Sequence, residues 1–425
     1  MAPTATDLVT PAELAALRDR LERDYPRYVA DLERLVNVDC GSYTREGVDA
    51  VGRWVAERLM TMGARIQAYP NDQGLAATIV AELDGAHPAG PTVLCLAHLD
   101  TVFDPGTVAE RPFAIRDGIA TGPGVTDMKS GLLTGLYAID ALREVAGGLP
   151  LAHLVLVANP DEEIGSPVST PHIERLARDA DVCLSLECAR ANGDIVSSRK
   201  GNVDLLITVT GRAAHAGIEP EKGRSAILEA ARMVTELHAL NGRWPGTTVN
   251  VGVIAGGSRP NVVAERCTLE VDLRAPARDA LLAAEAAIRD VARPRTVPDV
   301  MVEVTDRGRH WPMERLERSG RLVDHAVALA GSLGFELRDC ATGGASDANT
   351  TAGMGVPTVD GLGPIGGLDH APGEYLEVDS IVPRTVLLAA LIAAIGRDPE
   401  IRAWRSERLR EGSPPPAATG AGAAG

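Results

Sequence analysis

Between residues 11 and 36, apolar side chains recur at helical spacing: Leu14, Leu17 and Leu21, then Val29, Leu32 and Leu35, with Pro26 as the only interruption. The spacing predicts two amphipathic helices in tandem. A further helix is expected around 47–62. It is followed by apolar, strand-like runs at 76–83 and 92–97, a helix over 129–145, and strands at 153–159 and 182–186. Strands that alternate with helices predict an α/β layer with a mixed, largely parallel sheet.

From about residue 203 the pattern changes. A strand (204–210), a helix (224–240), two strands (247–255 and 267–274), a helix (277–291) and a strand (299–304) follow one another. That βαββαβ order is ferredoxin-like and predicts a compact unit at 201–310 inserted into the larger domain. The α/β pattern resumes with a helix (318–333), a strand (335–340) and a last helix (380–396), so the first domain is discontinuous, covering 1–200 and 311–405. The tail at 413–425 is Pro, Ala and Gly with no charge, and is expected to be disordered.

Composition narrows the function classes. The 425 residues would divide into two to three domains of roughly 150 residues each. Against 58 Asp and Glu stand 42 Lys and Arg, a net charge of −16 without any basic run, which argues against nucleic acid or anionic lipid as a partner. Aromatic residues make up only 3%, too few for a base-stacking platform. The six cysteines include no C-x-x-C pair and are expected to be buried free thiols of a reducing, cytoplasmic compartment. No signal peptide or membrane span is visible, the longest apolar run being 386–395.

Candidate chemistry sits where apolar runs end. The strand leading to His98-Leu99-Asp100 puts His98 and Asp100 on one side, because strand side chains alternate. A carboxylate beside an imidazole takes its second N–H and raises the basicity of the metal-binding nitrogen. The loop 122–131 has neither a P-loop nor a dinucleotide glycine pattern, since Met128 and Asp127 stand where glycines are needed, and it presents Asp127 on a constrained turn. A third strand runs into Asp161-Glu162-Glu163, three acids that repel one another unless a cation or proton lies among them. One Glu as ligand and its neighbour as general base would divide the labour. Glu187 and His370 complete a set of two imidazoles and three carboxylates with His98, Asp127 and Glu163, a donor set suited to zinc.

These motifs, with Ser185-Leu186-Glu187 and with Glu374-Tyr375 after His370, occur in the order of the glutamate carboxypeptidase and aminoacylase family of di-zinc exopeptidases and deacylases, which the chain resembles from about 28 to 397. The resemblance implies a di-zinc exopeptidase-type catalytic domain with an inserted lid and dimerisation domain. It implies two zinc ions per subunit, with cobalt or manganese fitting similar ligands. His98 and Glu187 would complete one site, Glu163 and His370 the other, and Asp127 would bridge. Asp100 would orient His98, and Glu162 would activate the water and later protonate the leaving amine.

In the insert, Gly211 to Gly217 matches the family's lid motif. His215 would therefore reach a partner subunit's active site in a homodimer formed through the lid and stabilise the oxyanion. Asn261 and Arg274 resemble lid residues that hold the substrate's carbonyl or carboxylate, although Arg274 also fits the alternation of a solvent-facing strand. Gly344, in a loop where Ala345 and Ser346 replace the family's Gly and Thr, and Arg309 are expected near the substrate. Cys188 stands where the family commonly has Pro. The implied reaction is cleavage of an amide next to a free carboxylate, releasing a C-terminal amino acid, glutamate among the candidates, from a peptide-like or N-acyl substrate. An N-acyl amino acid deacylase or dipeptidase would use the same metals. A non-catalytic amino-acid-binding relative is the reading of another class, and the full ligand set with Glu162 speaks against it.

Overall fold

The computed structural model describes residues 4–411, so the tail at 413–425 lies outside the described residues. The chain forms two compact units. One comprises residues 4–197 together with Arg315–Ala341 and residues 346–411; the other comprises Ser198–Glu314 and Thr342–Ala345.

The larger unit is built on a six-stranded sheet in the order Arg65–Tyr69, Thr78–Asp84, His153–Asn159, Thr92–His98, Val182–Ser185, Thr358–Val359. The first two junctions are antiparallel and the remaining three parallel, giving a mixed, mostly parallel sheet. Thr92–His98 is central and buried at every position, which is why it reads as a continuous apolar run and not as an alternation. The strand Arg65–Tyr69 escaped the sequence reading because it is an edge strand with little buried surface. The strand expected at 335–340 forms only over Asp339–Thr342.

The helix Ile381–Arg397 packs against Gly131–Val145, Pro11–Val36 and Glu317–Leu333, and is apolar on nearly all sides because it is buried on nearly all sides. The stretch Val378–Arg397 is long and apolar enough to cross a membrane, and here it is the core helix of the layer. The two tandem helices expected over 11–36 are a single helix, Pro11–Val36, with Pro26 inside it. Leu14, Leu17, Leu21, Tyr28, Leu32 and Leu35 form one buried stripe across the proline, so packing outweighs the hydrogen bond that Pro26 removes. A final helix, Pro399–Glu411, was not foreseen, although Asp398-Pro399-Glu400 has the form of an N-cap followed by a first-turn proline.

The smaller unit is a four-stranded antiparallel sheet in the order Thr248–Gly256, Arg266–Ala275, Gly201–Thr210, Met301–His310, with the helices Ala226–His238 and Arg278–Val291 packed on it. Val203, Leu205, Ile207 and Val209 alternate with more exposed residues along its central strand, so one face makes the core. This is the ferredoxin-like order.

Candidate metal centre

Parallel strands all deliver their C-terminal ends to one edge of the sheet, and the candidate ligands collect there. His98 is the last residue of Thr92–His98, and Glu187 follows Val182–Ser185. Glu162 and Glu163 lie on the turn Glu162–Ile164 after His153–Asn159. Asp127 comes from the irregular turn Val125–Ser130, which precedes the helix Gly131–Val145 and displaces the helix start expected at 129. The helix start lies so close to the neighbouring strand that a Cβ on Gly131 would collide with the Leu186 carbonyl oxygen. His370 has φ 64°, a left-handed conformation uncommon outside glycine and of the kind that clusters at functional sites.

Asp127 divides its two oxygens. Oδ1 lies 3.1 Å from His98 Nε2, and Oδ2 lies 3.1 Å from His370 Nε2. His98 Nε2 is also 3.8 Å from Glu187 Oε1, while His370 Nε2 is 3.0 Å from Glu163 Oε2. The carboxylate thus separates two ligand groups, His98 with Glu187 and His370 with Glu163. Single ligand atoms of His98, Asp127 and Glu163 all lie within 4.8 Å of one another.

The electrostatics fit a bound cation. Burial pushes the Glu162 carboxyl up strongly, His98 opposing and Glu187, Asp347 and Glu163 adding to the shift. Burial also raises Glu163. Hydrogen bonds to Asp127 and Glu163 raise His370 to about 11. Burial opposes a charged His98, yet Asp100 and Asp127 hold its pKa well above the ordinary value. Carboxylates at this spacing need protons or a metal between them, and imidazole with carboxylate is a donor set for zinc and its neighbours. The residues present therefore fit a dinuclear metal.

Asp100 supports both ligand groups. His98 Nδ1 is 3.0 Å from the Asp100 carbonyl oxygen and 3.4 Å from Oδ1, which turns Nε2 toward Asp127. The Asp100 carboxylate also accepts the backbone N–H groups of Glu162 and Glu163, both at 3.2 Å, and the Ser42 hydroxyl at 2.6 Å. Asp161 turns away, accepting Ser169 Oγ–H and Val168 N–H at 2.6 Å each, so the first acid of the triplet staples the turn.

Three supporting residues were not among the expected site residues. Glu374, almost wholly buried, accepts the N–H groups of Gly124, Thr126 and Asp127. Ser42 holds Asp100, and Asp347 accepts the Ser166 hydroxyl at 2.5 Å and a hydrogen bond from Asn159. Glu374 lies inside a noticed motif and Asp347 directly follows the loop of Gly344 to Ser346, whereas Ser42 carries no local signal.

Of the remaining expected residues, all lie in the smaller unit. His215 and Asn261 are exposed on adjoining segments, where Ala216 N–H donates to the Asn261 carbonyl at 3.0 Å. Arg274 faces Asp272 at 3.1 Å and donates to the Gly343 carbonyl at 3.0 Å, while Gly344 accepts from Arg199 at 3.1 Å. Arg309 is engaged by Glu285 at 2.7 Å and Asp306 at 3.0 Å, a structural pairing within its own unit.

A mostly parallel α/β sheet whose strand ends and adjoining loops gather two imidazoles and three carboxylates, with a further glutamate beside them, defines a metal-dependent hydrolase. The chain belongs to Peptidase family M20/M25/M40, whose sequence pattern matches residues 94–394. It is 31% identical over 407 residues to carboxypeptidase G2 of Pseudomonas sp. (strain RS-16), covering 92% of this chain and 96% of that one. It is 30% identical over 254 residues to acetylornithine deacetylase of Proteus mirabilis, covering 54% and 61%. The aminopeptidase PepT structure from Bacillus cereus superposes with a TM-score of 0.72 at 24% identity, covering 87% of this chain and 98% of that one, which establishes the shared fold. The protein is thus a metallohydrolase of peptide or N-acyl amino acid substrates.

Proposed function

We propose that the protein is a zinc-dependent carboxypeptidase that cleaves an amide next to a free carboxylate and releases a C-terminal amino acid, with glutamate as the first candidate. The divided carboxylate of Asp127 carries the metal half of this reading. Similarity to a named carboxypeptidase across 92% of the chain, against 54% for the deacetylase, supports the substrate half.

His98 with Glu187 and His370 with Glu163 would each hold one zinc ion, and Asp127 would bridge. When bound, such ions lower the pKa of water and polarise the scissile carbonyl. Glu162 takes the proton of the attacking water and returns it to the leaving nitrogen. Its place beside the candidate ligands, with its backbone N–H held by Asp100, suits that double duty. Asp100 keeps the Glu162 and His98 segments in register with each other. Asn261 and Arg274 are assigned to the substrate's carbonyl and carboxylate, and His215 to the oxyanion in a partner subunit.

A homodimer would form through the smaller unit. Its edge strand Thr248–Gly256 has one unpaired side and exposes Val253 and Ile254, and the helix Ala226–His238 exposes Ile227 and Leu228. The acetylornithine deacetylase match favours N-acyl amino acid deacylation as the second reading.

Elemental analysis of wild type and Glu162→Ala, with hydrolysis of a panel of N-acyl amino acids and dipeptides, tests the proposal. Two metals in both proteins, with turnover confined to wild type and to amides beside a free carboxylate, is the expected result. Less than one metal per wild-type subunit in supplied zinc overturns it. Preference for short acyl groups regardless of the leaving amino acid would establish the deacylase instead.

A further inference from the structure

The helix Ile381–Arg397 carries one buried charge, Arg384, which is 2% exposed and stands beside Val386, Leu387 and Leu388. Burying a guanidinium is costly unless the donors it turns inward find acceptors. Here they find three main-chain carbonyls: Nε donates to Gly363 at 3.0 Å, Nη1 to Gly193 at 3.0 Å and Nη2 to Gly361 at 2.6 Å. None of the three glycines lies in a helix or strand, so their carbonyls have no place in a regular ladder of hydrogen bonds. One side chain thus ties a core helix to two irregular segments.

The segment at 361–365 runs beside the chain that carries Glu187. As far as Leu186 that chain is held by the central strand, Leu186 N–H donating to the Leu96 carbonyl at 2.9 Å. From Glu187 onward the partner changes: Gly363 N–H donates to the Glu187 carbonyl at 2.8 Å, and Ala189 N–H to the Pro364 carbonyl at 3.1 Å. Gly363 is also wedged in place. A Cβ there would lie 2.9 Å from the Glu187 carbonyl oxygen, 3.2 Å from that of Leu186 and 3.1 Å from the Cα of Gly131, where the helix after Asp127 begins. Gly363 therefore joins Glu187 on its N–H to Arg384 on its carbonyl, with no room for a side chain. Toward His370 the chain is anchored afresh, Ile365 N–H donating to Ser380 Oγ at 2.9 Å and its carbonyl accepting Glu377 N–H at 2.8 Å. The hold of Arg384 thus reaches Glu187 directly, while His370 has its own supports.

We propose that Arg384 is a positioning residue for the metal centre: by fixing Gly363 it sets where the chain holds Glu187, and so governs the half of the centre formed by His98 and Glu187 and not the half formed by His370 and Glu163. The inference rests on the proposed ligand roles of these residues, and goes beyond them in coupling a core arginine to one of the two ions.

The test is a cobalt titration of the chelated, metal-free protein. Cobalt fits the same donors as zinc, and the visible bands of the bound ion follow the number and geometry of its ligands. Wild type is expected to take up two ions per subunit, Glu187→Gln to lose one of them and Glu163→Gln the other. Arg384→Lys keeps the charge but lacks the planar fork that reaches three carbonyls. It is expected to weaken by about 10- to 100-fold the ion that Glu187→Gln loses, the usual effect of removing a residue that orients a ligand, and to change the other by less than about threefold. Gly363→Ala leaves the guanidinium in place, crowds the same junction and should weaken the same ion, so it decides the question if Arg384→Lys does not fold. Leu391→Ala, a cavity in the same helix, should lower the melting temperature without selecting an ion. Folded variants at Arg384 and Gly363 that bind both ions like wild type, or lose both equally, overturn the positioning role, as does selective loss in Leu391→Ala. Fewer than one ion per wild-type subunit would overturn the ligand assignment itself, and this inference with it.

Discussion

Glu374 and Asp127 are joined by a hydrogen bond from the Asp127 backbone N–H to Glu374 Oε1 at 3.0 Å, across 247 positions of sequence. The same carboxylate holds Gly124 and Thr126, each at 2.8 Å. Burial lifts its pKa to about 7, and these three N–H groups oppose the rise. The loop that presents Asp127, the carboxylate proposed to bridge, is thus held by a residue outside the proposed ligand set.

Glu374→Ala is therefore expected to weaken metal binding by about 10- to 100-fold, the usual effect of removing a residue that positions a ligand. Competition titration against a chromophoric chelator measures it. A variant that folds and binds both metals like wild type would remove the positioning role.

Metal and fold should be coupled, since the unfolded chain holds no preformed site. Zinc at a free concentration of a hundred times Kd is expected to stabilise the metal-free protein by about 2.7 kcal/mol. Thermal unfolding of chelated and reloaded protein reads the difference, and Glu163→Gln should reduce it.

Acid should release a different anchor. Asp398 is buried, and although burial favours its neutral form, His325 at 2.6 Å and Arg321 at 2.7 and 2.9 Å hold its carboxyl well below the usual range. A depressed folded-state pKa contributes stability that is complete above the unfolded value of about 3.9 and is lost as pH falls further. Asp398→Asn is expected to cost about 3 kcal/mol at pH 7, with the gap to wild type closing below about pH 4. Urea unfolding at several pH values measures it; a gap independent of pH would mean that the charge is not what stabilises.

The exposed edge strand predicts the assembly. Ile254→Lys would place a charge on both copies of a self-complementary edge, and is expected to weaken dimerisation by more than about tenfold. Sedimentation measures the oligomer. If His215 works in the partner's site, turnover should fall with the dimer, and His215→Ala should lower kcat far more than it raises KM.

Chain order, period and residue chemistry already determined a great deal. The parallel strands and the ferredoxin-like insert are legible because a buried strand needs an unbroken apolar run, and His98, Glu163 and Glu187 become candidates because polar residues stand out where such runs end. What sequence alone left open depends on contacts between distant segments. Pro26 is tolerated because one stripe of leucines is buried on both sides of it, a property of the packed layer and not of the local chain. Sequence places Arg309 among the residues expected near the substrate, and only the fold shows Glu285, 24 positions away, against it. The two-sided contacts of Asp127, the left-handed backbone of His370 and the hold of Glu374 on the loop that carries Asp127 were decided only in three dimensions. Residue type sets which atoms can bind a metal, and only the folded chain sets the distances between them.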